Sequence, residues 1–169
     1  MPPGLNAIVV ESVRIHMLTS QHVVILKEAE RDRYLPIWVG ANEADAIARR
    51  LQGVVPERPL THDLFATALD ELGVQLKQVI ISELADETYR ARLIMELGDR
   101  TVDVDARSSD AIALALRAGV VIYATDDVLE RAGVTPSEAD AIDEERLAVF
   151  REFVNSLDWA DPPEGESES

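Results

Sequence analysis

Two short stretches of the sequence carry side chains that can move protons or bind phosphate. RPLTHDLF, residues 58–65, places His62 directly before Asp63, and ARSSDAIALALR places Arg107 three residues before Asp110. A neutral imidazole can act as a general base or as a metal ligand. Arginine suits bidentate contacts with phosphate or carboxylate groups. These residue types are therefore candidates for chemistry on a phosphate ester.

A third polar stretch, NEADA, adds an acidic side chain at the start of another predicted helix. If the three stretches converge, Glu43, His62, Asp63 and Asp110 form a set of oxygen and imidazole ligands that suits Mg²⁺ or Mn²⁺. Two such metal ions could activate water and stabilise the leaving oxygen of a phosphodiester. The sequence predicts this site only on the condition that the helix starts meet.

A purely structural interpretation of the same residues stays open. Acids in the first turn of a helix complement its dipole, and Asn42, Thr61 and Ser108 or Ser109 are suitable N-cap residues. Arg107 and Asp110 could form an internal salt bridge or an active-site pair. Helix capping does not explain the presence of His62, so the functional hypothesis depends mainly on this residue.

The elements that must position these residues follow from the hydrophobic pattern. Period-two patterning and β-branched residues predict strands, and apolar stripes at helical spacing predict helices. In order, the strands are residues 5–18, 22–29 and 34–40, then 74–84, 88–97 and 100–106, then 120–124; the helices are 41–53, 61–73, 108–119 and 126–133. Pro36 indicates an edge position or a strand end. The pattern predicts an α+β fold with a largely antiparallel or mixed sheet and packed helices.

Two strand-strand-strand-helix units occur in this order and share some sequence. Residues 41 and 45–48 match residues 106 and 110–113 at a constant offset of 65. We predict an internal duplication with two similar halves around a pseudo-two-fold axis. Chance similarity of a common helical string is the alternative.

Composition limits the classes of function. The 169 residues carry a formal net charge of −16 and no cysteine, which opposes general nucleic-acid binding and excludes disulfides and thiolate metal sites. Residues 135–169 hold 11 of the acids and only 2 bases. We predict a domain over residues 1–134, a helical extension over 135–157 and a disordered acidic tail over 158–169. No signal peptide or membrane span is evident, so we expect a cytoplasmic protein.

At this point the sequence resembles a known family. LPIWVGANEADAIA, RPLTHDLF, DARSSDAIALALR and VVIYA are similar to the motifs of the bifunctional nuclease domain family, over about residues 5–133. The resemblance implies an α+β fold that forms dimers or higher oligomers and an ability to cleave both RNA and DNA, known for plant members. Ser108 departs from the family, which usually has proline there. The family's polar positions carry over to Glu43, Arg58, Thr61, His62, Asp63, Arg107, Ser109 and Asp110.

Two hypotheses of different class result. The first is a bacterial nuclease with metal-assisted phosphodiester hydrolysis. Its catalytic residues would be His62, Asp63 and Asp110, and its substrate-binding residues would be Arg58, Arg107 and Ser109. Mg²⁺ or Mn²⁺ would bind to Glu43, Asp63 and Asp110. RNA and DNA would be its substrates. The second is a non-enzymatic oligomeric binding or assembly module in which the motif residues are structural.

Overall fold

The computed structural model describes residues 3–16, 18–136 and 152 of the chain. Its strands are β1 (Leu5–His16), β2 (Gln21–Glu28), β3 (Tyr34–Val39), β4 (Val74–Ala85), β5 (Thr88–Leu97), β6 (Arg100–Arg107) and β7 (Val121–Thr125). Its helices are α1 (Ala41–Leu51), α2 (Thr61–Glu71), α3 (Ser108–Ala118) and α4 (Asp126–Ala132). The predicted C-terminal helix and acidic tail lie outside the described residues.

All seven strands form one mixed sheet, in the order β3-β2-β1-β7-β4-β5-β6. The β4–β7 pair is parallel and the other pairs are antiparallel, so the predicted α+β class is confirmed. Pro36 lies in β3 at one edge of the sheet, where a missing N–H costs little. The other edge is β6, which leads directly into α3.

Two three-stranded meanders flank the central strand β7. β1–β3 lie on one side and continue into α1, whereas β4–β6 lie on the other side and continue into α3 after β6. β3 and β6 are the two edges of the sheet, yet the contact between Arg107 and Glu43 shows that the starts of α1 and α3 lie close together. The internal duplication itself stays a prediction.

Helix α3 is the centre of the core. Its residues from Ser108 to Ala115 are buried except Asp110, and α1 and α2 both pack against it. Apolar side chains of β1–β5, β7, α1 and α4 complete the same core. The all-round apolar sequence of this helix predicted its burial, and the structure confirms it.

The predicted N-cap residues were wrong at three helices. The caps of α1, α2 and α3 are Gly40, Leu60 and Arg107, without a side-chain hydrogen bond, so Asn42, Thr61, Ser108 and Ser109 already lie within their helices. The backbone becomes helical one or two residues earlier than polar residue types suggest. At α2 the carboxylate of Asp63 takes over, since its Oδ2 accepts the N–H of Leu60 at 2.9 Å.

None of the helices in the described part of the chain is long and apolar enough to cross a membrane.

Candidate functional site

His62 and Asp110 form the centre of the site. The Nε2 atom of His62 lies 2.8 Å from Oδ1 of Asp110, although the residues are 48 positions apart. His62 occupies the first turn of α2, and Asp110 occupies the first turn of α3. An ionised carboxylate only accepts hydrogen bonds, so in the neutral ring Nε2 carries the hydrogen and Nδ1 keeps its lone pair. The arrangement orients an imidazole for proton transfer.

Arg107 links this pair to the start of α1. Its Nε donates to Oδ2 of Asp110 at 2.8 Å, and its Nη2 donates to Oε1 of Glu43 at 2.9 Å. The side chain is nevertheless 65% exposed. A guanidinium has five N–H donors, of which two are used here. Arg107 is thus held by two carboxylates and still presents donors to the solvent.

The same contacts set the ionisation of the cluster. Burial raises the pKa of Asp110, but hydrogen bonds and positive charge from Arg107 and His62 outweigh burial and lower this pKa below its ordinary value. Hydrogen bonds from Arg107 to Asp110 and Glu43 raise the pKa of the guanidinium. The cluster therefore holds a fixed carboxylate and a fixed cation at neutral pH.

Asp63 and its sequence neighbour His62 contact different partners. Its Oδ1 accepts a hydrogen bond from Nε of Arg117 at 2.6 Å, while its Oδ2 caps α2. Arg117 is only 7% exposed and also donates to the carbonyl oxygens of Ala113 and Ala46. Burial raises the pKa of Asp63, but the bonds from Leu60 and Arg117 prevail and lower it. Asp63 thus joins α2 to α3 and, through Arg117, to α1.

The cluster opens into a cleft of about 870 Å³ between α1, α2 and β6. Leu60 and Phe65 supply part of its apolar wall, and its polar wall includes Glu43, His62, Arg107 and Asp110. Arg58 is exposed in the loop before α2 and forms no hydrogen bond or ion pair within the described part of the chain. Ser109 is buried and lines a second cleft on the other side of Arg107.

Sequence comparison now adds to this geometry. Residues 24–137 match the model of the bifunctional nuclease domain. The chain belongs to the bifunctional nuclease domain family. This result confirms the resemblance drawn from the motifs, and the matched range contains every residue of the His62–Asp110–Arg107–Glu43 cluster.

The family relatives differ in how much they share with this chain. A protein from two strains of Mycobacterium tuberculosis, named only as uncharacterized, is 46% identical over 154 residues, 88% of this chain and 92% of that protein. Bifunctional nuclease 1 of rice is 26% identical over 136 residues, 75% of this chain. Bifunctional nuclease 2 of rice is 30% identical over 103 residues, 59% of this chain. The chain spans 41% and 32% of these rice proteins, respectively.

The predicted metal ligands Glu43, Asp63 and Asp110 are not arranged to hold a metal ion. Arg107 lies between Glu43 and Asp110, and both oxygens of Asp63 already accept hydrogen bonds. Among residues 3–16, 18–136 and 152, no three His, Asp or Glu side chains are grouped to hold a metal. A guanidinium thus takes the place between carboxylates that a divalent cation would need. The prediction of Mg²⁺ or Mn²⁺ on Glu43, Asp63 and Asp110 therefore requires these carboxylates to exchange their present partners for the ion.

Three residues of this region were not recognised from the sequence. Arg117 had no motif of its own, and its distance of 54 positions from Asp63 hid the pair. Gly40 leaves the space that the Glu43 carboxylate occupies, because a Cβ there would overlap Oε2 of Glu43. Trp38, within the LPIWVG stretch, has a side chain that is 48% exposed beside the second cleft. The sequence signal for this position is a tryptophan two residues before Gly40, the glycine that follows β3.

Proposed function

We propose that this protein is a phosphodiester hydrolase of the bifunctional nuclease family and that His62 is its general base. The observation that carries the proposal is the 2.8 Å contact of His62 with Asp110, which in turn contacts the exposed Arg107. An oriented imidazole beside an anchored guanidinium supplies a proton acceptor and a phosphate contact in one cleft. The names of the rice relatives support the same class of activity.

His62 would activate the attacking oxygen. Nδ1 takes the proton from a ribose 2′-hydroxyl in RNA, or from water when DNA is the substrate, and the oxygen attacks phosphorus. The bond from phosphorus to the leaving oxygen breaks, and that oxygen takes a proton from solvent. Asp110 keeps the ring in the required orientation and stabilises the imidazolium formed by proton transfer. A base in this role accelerates the reaction by about 10²–10⁴-fold.

Arg107 would bind the scissile phosphate. Its remaining N–H donors match the oxygens of a phosphate, while Glu43 and Asp110 fix the guanidinium plane. The negative charge that builds up on the phosphate oxygens during attack strengthens this contact, so the arginine favours the transition state. The protein as a whole is acidic, so substrate binding depends on this local cation rather than on a basic surface.

The test is cleavage of labelled single-stranded RNA and DNA in Mg²⁺, in Mn²⁺ and in EDTA. We expect RNA to be cleaved faster than DNA, because the 2′-hydroxyl is an intramolecular nucleophile. Cleavage should persist in EDTA and fall by about a hundredfold or more in His62→Ala. Asp110→Asn should also lose activity, since an amide can stabilise the wrong ring tautomer.

His16→Ala is the matched control, because His16 lies at the end of β1 and does not line the cleft. It should cleave like the wild type when prepared in the same way. Equal cleavage by folded His62→Ala would show contamination and overturn the proposal. Cleavage that requires Mg²⁺ or Mn²⁺ would contradict the metal-free mechanism and support the metal-assisted alternative.

The assembly-module hypothesis is supported by a separate observation. No residue of α2 is buried, and its outer surface exposes Leu64, Phe65 and the following Leu72. Exposed apolar side chains on one helix are typical of a surface that packs against another chain. Light scattering on Leu64→Asp tests it: a smaller particle than the wild type supports self-association there, and an unchanged mass contradicts it.

A further inference from the structure

A second cleft lies on the other side of Arg107 and takes no part in the proposed proton transfer. It has a volume of about 510 Å³ and runs between the β2–β3 edge and the β4–β5 turn. Its walls include Trp38, Tyr89, Ser109 and Arg107. Arg107 is thus common to both clefts, and a chain bound across this residue would enter each of them.

The aromatic wall of this cleft is fixed by the fold. Trp38 is on the edge strand β3, and its side chain is 48% exposed, so part of it is accessible from the solvent. The hydroxyl of Tyr89 donates to the carbonyl oxygen of Pro36 at 3.4 Å, which holds the β4–β5 turn near β3. The two rings therefore belong to strands that are joined across the cleft, and their positions do not depend on a loose loop.

The chemistry of the second cleft differs from that of the first. Its charged lining residues are Arg107 and Glu87, and the rest of its lining is aromatic, aliphatic, hydroxyl, amide or imidazole. A flat, largely neutral ring with polar edges suits such a cleft better than a phosphate does. Stacking on tryptophan tolerates any base, because every base has a π-face.

We propose that the second cleft is a nucleobase subsite in which Trp38 stacks on a base of single-stranded nucleic acid. The neighbouring phosphate would contact Arg107, so the stacked base would set which bond lies beside His62. The inference rests on the proposed nuclease function for its substrate class. It goes beyond that function because it assigns Trp38, in the second cleft, as a substrate-binding residue.

The experiment measures binding without cleavage. Full-length His62→Ala protein is titrated into a labelled single-stranded DNA hexamer and into the same hexamer with abasic sugars. Fluorescence anisotropy gives both affinities. We expect the hexamer with bases to bind at least about fivefold more tightly, the lower end for one stacked base. With Trp159→Phe added, Trp38 is the sole tryptophan, and its emission should be quenched only by the hexamer with bases.

Variants at Trp38 separate stacking from packing. Trp38→Ala should remove the preference for bases and leave the abasic affinity unchanged, while Trp38→Phe should retain part of the preference. Val55→Ala, which also removes an exposed apolar side chain but lies outside the cleft, should bind like the parent. Light scattering on every variant reports whether Trp38 instead lies between two copies of the chain.

Each outcome bears on the proposal. An unchanged base preference in Trp38→Ala, or a change of oligomeric state without a change in affinity, overturns the subsite. Absence of binding to either hexamer overturns it as well. Base-dependent quenching together with no cleavage by the wild type would refute the proposed nuclease while supporting the subsite. If Trp38→Ala alone cleaves RNA and DNA at the same rate as the wild type, the result supports the proposed nuclease but not the subsite.

Discussion

At the scale of single residues, His62 and Asp63 are neighbours in sequence with separate partners. Successive residues on a helix point about 100° apart, so one faces Asp110 and the other Arg117. Those two partners are seven positions apart on α3, on one face and about two turns from each other. The first turn of α2 therefore supplies a candidate base through one residue and a structural ion pair through the next.

Loss of Asp63 should destabilise the fold. Asp63→Ala leaves the buried Arg117 without its carboxylate and α2 without its cap, so we expect the free energy of unfolding to fall by about 3 kcal/mol. Urea denaturation measures the change. Asp127→Ala, which removes an exposed first-turn acid of α4, should cost less than about 1 kcal/mol. Similar losses in the two variants would contradict a special role for the Asp63–Arg117 pair.

Acid should weaken the same contacts. The folded protein holds the pKa of both Asp63 and Asp110 below the ordinary value, since hydrogen bonds to the carboxylates outweigh burial. Such groups stabilise the fold above their unfolded pKa of about 3.9 and lose this effect as pH falls through the folded pKa. We expect their contribution to be constant above about pH 5 and to decline below about pH 4. The Asp63→Asn, Asp110→Asn double variant should show a shallower acid slope in urea titrations.

At the scale of elements, the starts of α1 and α3 meet through one arginine. Glu43 in α1 and Asp110 in α3 both accept hydrogen bonds from the guanidinium of Arg107, although Glu43 and Arg107 are 64 positions apart. Gly40, just before α1, leaves room for the Glu43 carboxylate. Its φ of −69° is open to any residue, so the requirement is for space rather than for backbone conformation.

Gly40→Ala should therefore disturb the site more than the fold. A Cβ would push Glu43 away from Arg107, and we expect cleavage to fall by up to about a hundredfold. Stability should change by less than about 1 kcal/mol, since alanine is only a poorer N-cap residue. The control is a double-mutant cycle with Glu43→Ala. If the glycine acts through Glu43, the double variant loses no more activity than Glu43→Ala, whereas additive losses would refute this route.

At the scale of the whole molecule, charge opposes the proposed substrate. The net charge is −16, and residues 158–169 contribute five acids and no base, so their removal leaves −11. Exposed charges of one sign repel a polyanion over about 10 Å at 0.1 M salt. Binding of nucleic acid therefore needs contacts that act at short range. Arg107 and the ring of Trp38 would provide such contacts.

Removal of residues 158–169 should speed association with nucleic acid. We expect the association rate for a single-stranded oligonucleotide to rise several-fold at low salt, on the order of tenfold at most, because less negative charge approaches the substrate. The gain should vanish near 1 M salt. Stopped-flow anisotropy at both salt concentrations measures it. An equal rate at low salt would show that the tail does not shield the site.

The sequence by itself determined the order of the elements and the residue types of the site. Its strands and helices end within about two residues of those observed, because hydrophobic period and turn residues are local signals. It also indicated the burial of α3, whereas Pro36 left an edge position and a strand end as alternatives that the strand order decided in favour of the edge. Helix caps were less predictable, because a cap depends on where the backbone turns and not only on a polar residue.

Only the tertiary structure decided which of the candidate residues are partners. His62 pairs with Asp110 across 48 positions, Arg107 with Glu43 across 64, and Asp63 with Arg117 across 54. These contacts depend on how α1 and α2 cross α3, against which both pack. No local pattern encodes such a crossing. The sequence therefore supplied the residue types of the site, and long-range packing decided which side chains are in contact.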